Sequence, residues 1–156
     1  MNVIEDFREW SAVLGMSWTD EHINGLLSRP WHDKIKLIIG PQNFDGSILN
    51  IAENLKHKAN MNIKDPLDSK ILDYGAGNGC NLLQLESMGY TDLWYYDRSV
   101  ISAKFFKWRC DKHKSKVNIL YREPTEADGF DRVIHVGLSA IEYKSEGLTY
   151  PLGITT

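Results

Sequence analysis

Apolar side chains in the first third of the chain recur every three or four positions, which is the spacing of an amphipathic helix. The first such stretch carries Ile4, Phe7, Trp10 and Leu14. Thr19-Asp20-Glu21 is typical of a helix start and precedes a second stretch at 23–27. Asp45-Gly46-Ser47 precedes a third stretch at 48–55. We therefore predict that residues 1–65 form a helical extension packed on the rest of the protein.

From Lys70 onward, short apolar runs alternate with helical spacings. Strands are predicted from Ile71 and at 93–96, 117–121 and 131–136. Helices are predicted at 80–88, where Gly89 is a natural stop, and at 99–112. The order strand–helix–strand–helix–strand–strand predicts an α/β domain over 66–156, with a mostly parallel sheet covered by helices. Sheets of this kind bind ligands at the carboxyl ends of their strands.

Composition narrows the class of protein. The chain has 156 residues, of which 42% are hydrophobic and 25% charged, and these values are typical of one soluble globular domain. No apolar run approaches the length of a membrane-spanning helix, which needs about 18 residues. Glu5 and Asp6 stand where a secretory signal would carry basic residues, which favours a cytoplasmic protein. The formal net charge of −3 argues against general nucleic-acid binding.

Cysteines and basic residues add little chemistry. Cys80 and Cys110 are too few for a disulfide framework and match no zinc spacing, so we expect reduced thiols and no metal. His57 and His113 lie in polar stretches and are expected to face solvent.

The segment 104–116 is rich in Lys and Arg and is expected to form the solvated face of a helix, with Phe105, Phe106 and Trp108 partly toward the sheet. An attachment face for an acidic partner or nucleic acid is the alternative. Its basic residues are Lys104, Lys107, Arg109, Lys112, Lys114 and Lys116.

The central motif is the glycine-rich run Asp73-Tyr74-Gly75-Ala76-Gly77-Asn78-Gly79, which joins a predicted strand to a predicted helix. Glycines in such a turn adopt conformations closed to other residues and let a ligand approach the main chain. The free amides at the start of the helix face the same crevice. Asp97 ends the next predicted strand, so a parallel sheet places it beside the turn, where a carboxylate can accept hydrogen bonds from a ribose diol.

The spacing of the glycines separates two classes of cofactor. A dinucleotide fingerprint needs a glycine at position 80, where this chain has Cys80. The chain instead has G-x-G-x-G preceded by Asp73, which resembles the first motif of class I S-adenosylmethionine-dependent methyltransferases. Phe130-Asp131-Arg132-Val133-Ile134 is similar to the "FDxV" fourth strand of that family.

The resemblance covers about residues 68–140 and implies a Rossmann-like three-layer sandwich that binds S-adenosyl-L-methionine. In the family the acid before the glycines lies near the methionine moiety, and the glycines accommodate the nucleoside. On this basis the cofactor-binding residues are Asp73, Gly75, Ala76, Gly77, Asn78, Gly79, Asp97, Arg98 and Glu123.

The sequence departs from the family pattern in two places. An acid after the third strand usually meets the adenine amino group, and Glu123, Glu126 and Asp128 are alternatives for that role here. The seven-stranded sheet of the family does not fit after the fourth strand, where 142–143 and 148–150 are the candidate strands. We therefore expect a sandwich shortened at its C-terminal side, with a sheet edge covered by the N-terminal helices or by a partner chain in a homo- or hetero-oligomer.

The resemblance implies methyl transfer to an acceptor that the sequence does not identify. The [DNS]-P-P-[YFW] loop and the Pro-Cys dipeptide of nucleic-acid base methyltransferases are absent. His135 is the candidate general base, with a packed core histidine as the alternative, and Ser139 lies nearby. Trp10, Trp18 and Trp31 either anchor the N-terminal helices or stack on a planar substrate. The alternative functions are a non-catalytic S-adenosylmethionine-binding regulatory or partner subunit, and nicotinamide or flavin binding.

Overall fold

The computed structural model describes residues 2–27, 51, 55 and 61–135 of the chain. The described helices are α1 (Val3–Val13), α2 (Asp20–Leu27), α3 (Cys80–Ser87) and α4 (Val100–His113), and a short 3₁₀ helix spans Glu126–Asp128. The described strands are β1 (Lys70–Tyr74), β2 (Asp92–Tyr96), β3 (Asn118–Ile119) and β4 (Arg132–Ile134). Within these ranges no helix is long and apolar enough to cross a membrane.

The predictions of a helix at 48–55 and of strands at 142–143 and 148–150 lie outside the described residues, except for Ile51 and Leu55. Trp31, His57 and Ser139 lie outside them as well. The boundary between 1–65 and 66–156 stays a prediction.

The described strands form one parallel sheet in the order β3-β2-β1-β4. The chain moves outward from β1 to β2 and β3, and then returns to the other side of β1 with β4. The direction of connection therefore reverses beside β1, and the carboxyl ends of the strands at that point form the crevice in which α/β sheets bind ligands. This topology confirms the predicted Rossmann-like α/β fold.

Two strands are shorter than predicted. β3 covers two residues of the predicted 117–121, because it pairs with β2 at the edge of the described sheet over a short register. The next amide, that of Leu120, still donates to the Tyr95 carbonyl at 2.8 Å. β4 covers three residues of the predicted 131–136, so His135 follows the strand instead of lying in it.

One face of the sheet packs against α3 and α4. Ile71, Tyr95 and Ile134 share this face and are buried with Leu82 of α3 and Phe106 of α4. The Phe106 ring stacks on Tyr95, with ring centroids 4.2 Å apart and planes inclined by 7°. An aromatic pair of this kind adds about 0.5–1.5 kcal/mol to the stabilisation from burial alone. This contact fixes α4 against the centre of the sheet.

The opposite face carries a second buried cluster. Its strand residues include Leu72, Tyr74, Tyr96 and Val133, and Phe130 packs beside them. No residue of a described helix belongs to this cluster. The second helical layer of a three-layer sandwich therefore stays a prediction, as does a partner chain at the sheet edge.

The N-terminal helix α1 packs on α4 through a separate aromatic cluster. Phe105 of α4 meets Phe7 and Trp10 of α1, with ring centroids 6.2 and 4.9 Å away. Phe105 therefore contacts α1 and not the sheet, contrary to the prediction, because neighbouring helix positions differ by about 100° in direction. Leu14, predicted on the apolar face of the first helix, is instead its exposed C-terminal cap residue.

A buried carboxylate joins α1 to α4. Asp6 is fully buried and accepts hydrogen bonds from Arg109 Nε at 2.7 Å and from Lys112 Nζ at 2.9 Å. His113 Nε2 lies 2.8 Å from the same carboxylate. Burial alone would raise the pKa of Asp6, but the hydrogen bonds from these three side chains outweigh it and lower the pKa below 3.8.

This ion cluster corrects two expectations from the sequence. His113 does not face solvent, since its side chain is 18% exposed and touches Asp6. In the segment 104–116, Arg109 departs from the expected solvated face, whereas the five lysines are exposed as expected: Lys104, Lys107, Lys112, Lys114 and Lys116. Arg109 is buried, Lys112 pairs with both Asp6 and Glu9, and Lys107 pairs with Asp111.

Replacing Asp6 is expected to destabilise the fold. Asp6→Asn should lower the free energy of unfolding at neutral pH by about 3–5 kcal/mol, because Arg109 is left buried without its counter-charge. Because the folded pKa of Asp6 is depressed, its contribution is present above pH 3.8 and is lost as the pH falls through the lower folded value. Urea unfolding between about pH 5 and pH 2 should show this loss in the wild type and not in the variant.

Asp20→Asn is the matched control, because Asp20 pairs with Arg8 at 2.8 Å but is 91% exposed. It should cost less than about 1 kcal/mol. Equal costs for the two substitutions would show that the buried cluster adds no stability.

Candidate functional site

The turn from β1 into α3 is built on glycines with positive φ. Gly75, Gly77 and Gly79 have φ values of 74°, 55° and 74°, a region that L-residues with side chains rarely adopt. The amides of Gly75 and Ala76 donate to the Tyr96 carbonyl at 2.9 and 3.0 Å, which ties the turn to the carboxyl end of β2. The backbone at this edge of the sheet is therefore open to close approach by a ligand.

Packing behind the turn explains the last of these glycines. A Cβ at Gly79 would lie 2.0 Å from Cδ1 of Phe106. The same Phe106 ring stacks on Tyr95, whose hydroxyl donates to the Gly77 carbonyl at 2.6 Å. Gly79 is thus fixed by the α4–sheet contact, independently of any ligand.

Asp97 lies beside the glycine turn, as the sequence predicted. Its Oδ2 accepts a hydrogen bond from the Gly77 amide at 2.8 Å, and its Oδ1 accepts one from the Ser99 amide at 2.8 Å. Each carboxylate oxygen keeps a second lone pair for a further donor. The carboxylate therefore fixes both the turn and the start of α4 and can still accept bonds from a ligand hydroxyl.

Asp73 is a buried acid at the end of β1. It is 1% exposed, and its Oδ2 has no hydrogen-bond partner among the described residues. Burial, together with the negative charge of Asp97, raises the pKa of Asp73 to about 8, although a hydrogen bond from Asn81 opposes the shift. Two acids thus share one edge of the sheet, and the buried one is protonated at neutral pH.

Glu123 is held near the carboxyl ends of β1 and β2 by a tyrosine from each strand. It accepts hydrogen bonds from the Tyr96 hydroxyl at 2.5 Å and the Tyr74 hydroxyl at 3.2 Å, and Arg98 Nε lies 3.4 Å away. Burial and this hydrogen bond raise the pKa of Tyr96 to about 12, so its hydroxyl stays a donor. Nothing in the sequence pattern indicated that two tyrosines would orient this acid.

The other two acids proposed for the adenine differ from Glu123. Asp128 caps the 3₁₀ helix by accepting from the Thr125 amide at 2.7 Å and pairs with Arg122 at 2.5 Å, and the hydrogen bond from Arg122 lowers its pKa to about 2. Asp128 is therefore used structurally. Glu126 is exposed on the same 3₁₀ helix. Of the three, Glu123 is the one held beside Tyr96 at the end of β2.

A groove of about 350 Å³ opens next to Asp97, between the ends of β2 and β3 and the first half of α4. Arg98, Val100, Ala103, Leu120 and Tyr121 line it together with Tyr96, Asp97, Lys104 and Lys107. Small-molecule sites have volumes of about 300–1,000 Å³, and this groove is at the lower end of that range.

His135 lies apart from the glycine turn in the chain and directly follows β4. It is 1% exposed. Its role as a general base stays a prediction. Both cysteines are free, and no group of His, Cys, Asp and Glu side chains in the described part of the chain is arranged to hold a metal ion.

The chain is similar to several solved structures at low sequence identity. No protein-family model matches it, and no curated protein does. PKMT2 from Rickettsia typhi in complex with AdoHcy matches 57% of this chain and 20% of its own, at 23% identity and a TM-score of 0.46. TehB from Haemophilus influenzae matches 67% of this chain and 34% of its own, at 19% identity and a TM-score of 0.38.

Coclaurine N-methyltransferase bound to N-methylheliamine and SAH matches 95% of this chain and 53% of its own, at 13% identity and a TM-score of 0.49. The chain therefore spans between about a fifth and about half of the length of these proteins.

Gly79→Ala should disrupt the turn. We expect it to lower the free energy of unfolding by about 2–4 kcal/mol, because the new methyl group meets the Phe106 ring and the positive φ adds strain. Gly129→Ala is the control, since Gly129 has a φ of 67° and nothing within 4 Å of its Cβ position. It should cost only the backbone strain, about 1 kcal/mol. Equal losses in chemical denaturation would contradict the proposed packing of Phe106 against the turn.

Proposed function

We propose that this protein binds S-adenosyl-L-methionine and transfers its methyl group to an acceptor. One observation carries the proposal. The glycine turn, Asp97 and the buried Asp73, whose Oδ2 has no hydrogen-bond partner within the described residues, lie together at the carboxyl edge of β1 and β2. This edge adjoins the crevice between β1 and β4, where the strand order reverses.

The residues present fit this cofactor by charge and by shape. An unpartnered carboxyl oxygen in a buried site favours a cationic donor, and the methionine part of the cofactor carries an ammonium group. The open backbone of Gly75 and Gly77 allows close approach, and Asp97 has lone pairs for the ribose hydroxyls. The adjacent groove of about 350 Å³ has room for the adenine base, and it is lined by Arg98, whose Nε lies 3.4 Å from Glu123.

A dinucleotide fits the same residues poorly. Dinucleotide sites place a pyrophosphate against the turn and the start of the helix. Here Asp73 and Asp97 put acidic groups at that edge, and Cys80 stands in place of the third glycine of the fingerprint. The negative charge of Asp97, and that of Asp73 once it has lost its proton, disfavours an anionic ligand and favours a cationic one.

The bound cofactor would supply an electrophilic methyl group on a sulfonium centre. The contribution of the protein is then orientation, which can supply much of the rate enhancement without a general base. Asp73, the glycine turn and Asp97 would fix the two ends of the cofactor, and the acceptor would approach from the open edge of the sheet. If the acceptor must lose a proton, His135 would be the candidate general base.

A non-catalytic binding subunit is the second candidate. It is supported by the glycine turn, Asp73 and Asp97, which account for binding of the cofactor without assigning any residue to the transfer step. Transfer of radiolabelled methyl groups to proteins, nucleic acids or small molecules of a cell extract separates the two. Labelled product supports the enzyme, and tight binding of S-adenosylhomocysteine without any transfer supports the binding subunit.

Asp97→Ala should weaken the binding of S-adenosylhomocysteine by about 1–3 kcal/mol, because it removes charge-assisted hydrogen bonds to the ribose. Asp92→Ala is the control, since Asp92 lies at the opposite end of the same strand, where it accepts from Trp94 Nε1. Calorimetric titration of both variants measures the difference. An unchanged affinity of the Asp97 variant would remove Asp97 from the site.

Binding should also release a proton. Asp73 is protonated below about pH 8, and a cationic ligand beside it favours the carboxylate. Affinity should therefore rise with pH up to about 8, and at pH 7 up to one proton should leave on binding. Titrations in buffers with different ionisation enthalpies measure this number.

Asp73→Asn removes the titrating group and should abolish the release. The same substitution should make the free energy of unfolding of the unliganded protein depend less on pH. The raised folded pKa of Asp73 makes the wild type lose stability as the pH rises from 3.8 to about 8. Proton release that persists in Asp73→Asn would assign it to another group.

A further inference from the structure

A buried arginine connects the N-terminal helix to the glycine turn. Arg109 on α4 donates from Nε to Asp6 of α1 at 2.7 Å and from Nη1 to the Asn78 carbonyl at 2.6 Å. Both charged side chains are 1% exposed. The guanidinium group therefore bridges two segments that are more than seventy residues apart in the chain, Asp6 and Asn78.

The bridge matters for the glycine turn because the carbonyl that accepts from Arg109 belongs to Asn78, within the turn. Asn78 lies between Gly77, whose amide binds Asp97, and Gly79, whose missing Cβ leaves room for Phe106. A donor on the Asn78 carbonyl fixes the plane of the peptide that joins Asn78 to Gly79. The turn is thus held by Asp97 on the β2 side and by Arg109 from the α4 side.

The guanidinium group holds that position only while its charge is compensated. Within the described residues, Asp6 is the carboxylate that pairs with Arg109, and it comes from α1. A buried cation without a partner is unfavourable and moves toward water or recruits it. Undocking of α1 would therefore withdraw Arg109 from the Asn78 carbonyl and loosen the turn.

We infer that Arg109 is a positioning residue for the glycine turn, and that Asp6 makes ligand binding at the turn depend on the docking of α1. The ligand part of this inference rests on the proposed function, whereas the link between α1 and the turn does not. By thermodynamic reciprocity, a ligand that orders the turn also stabilises the docked position of α1.

Hydrogen exchange measured by mass spectrometry tests the link directly. The first variant is Arg109→Lys, which keeps the charge but cannot reach both partners. The second is Asp6→Asn, which keeps the arginine but removes its counter-charge. Asp111→Asn is the matched surface control, because it breaks the exposed pair of Lys107 and Asp111 on the same helix. Val133→Ala is the control for global destabilisation, since Val133 is buried on the opposite face of the sheet.

In both bridge variants, amides of the turn and the start of α3, residues 77–82, should exchange about tenfold faster or more, the effect of losing one charge-assisted hydrogen bond. S-adenosylhomocysteine should bind them about tenfold more weakly or worse. Both controls should match the wild type in affinity and in the exchange of the turn relative to the rest of the sheet. In the wild type, saturating ligand should slow exchange in α1.

Circular dichroism establishes first that each variant is folded. If one bridge variant does not fold, the other and the wild-type measurement on α1 carry the test. Folded bridge variants with unchanged exchange at 77–82 would overturn the inference, as would ligand binding that leaves α1 exchange unchanged.

Failure of the proposed function gives a different pattern. If the wild type does not bind S-adenosylhomocysteine but the bridge variants still loosen the turn, the positioning role of Arg109 stands and the assignment of the cofactor falls. If the wild type binds and the variants behave as the controls do, the assignment stands and the positioning role falls.

Discussion

The hydrogen bond from the Gly77 amide to the Asp97 carboxylate, 2.8 Å long, is the constraint around which the site is arranged. It joins the loop after β1 to the end of β2, at the edge where strand order reverses. The loop can make this bond because its glycines take positive φ values. The same carboxylate binds the Ser99 amide at the start of α4, so turn, strand and helix share one anchor.

Burial places an acidic side chain, Asp73, beside the carboxylate of Asp97 at this edge of the sheet. Asp73 lies in the sheet, where one of its oxygens has no partner among the residues that the structure describes, and it is close enough to Asp97 for the charge of Asp97 to raise its pKa. A fold gains nothing from such an arrangement, because an unsatisfied buried polar group costs free energy. Strain or desolvation of this kind is typical of functional sites, where a ligand relieves it. A cationic ligand would do so here.

Much of this could be predicted from the sequence because it depends on local patterns. The glycine turn after Asp73 and the position of Asp97 at the end of the next strand follow from the alternation of strands and helices, and the parallel order follows from the crossovers. Strand ends were less predictable, since the length of β3 depends on pairing with β2 and not on its own residues.

The long-range polar contacts could not be predicted. Asp6 and Arg109 read as ordinary surface charges on amphipathic helices, and only the docking of α1 on α4 buries them together. Glu123 likewise looked equivalent to Glu126 and Asp128 until Tyr74 and Tyr96 were placed beside it. Such pairs depend on which helix faces meet, and a single sequence gives no periodic signal for that.

We propose that the S-adenosyl ligand binds at the glycine turn. The most direct test is an amide spectrum of protein labelled with ¹⁵N at glycine, recorded during titration with S-adenosylhomocysteine and, separately, with NAD. The signals of Gly75, Gly77 and Gly79 should shift with S-adenosylhomocysteine alone, while those of Gly15 and Gly129 stay in place. Shifts with NAD alone, or binding that leaves the three turn glycines unmoved, would contradict the account.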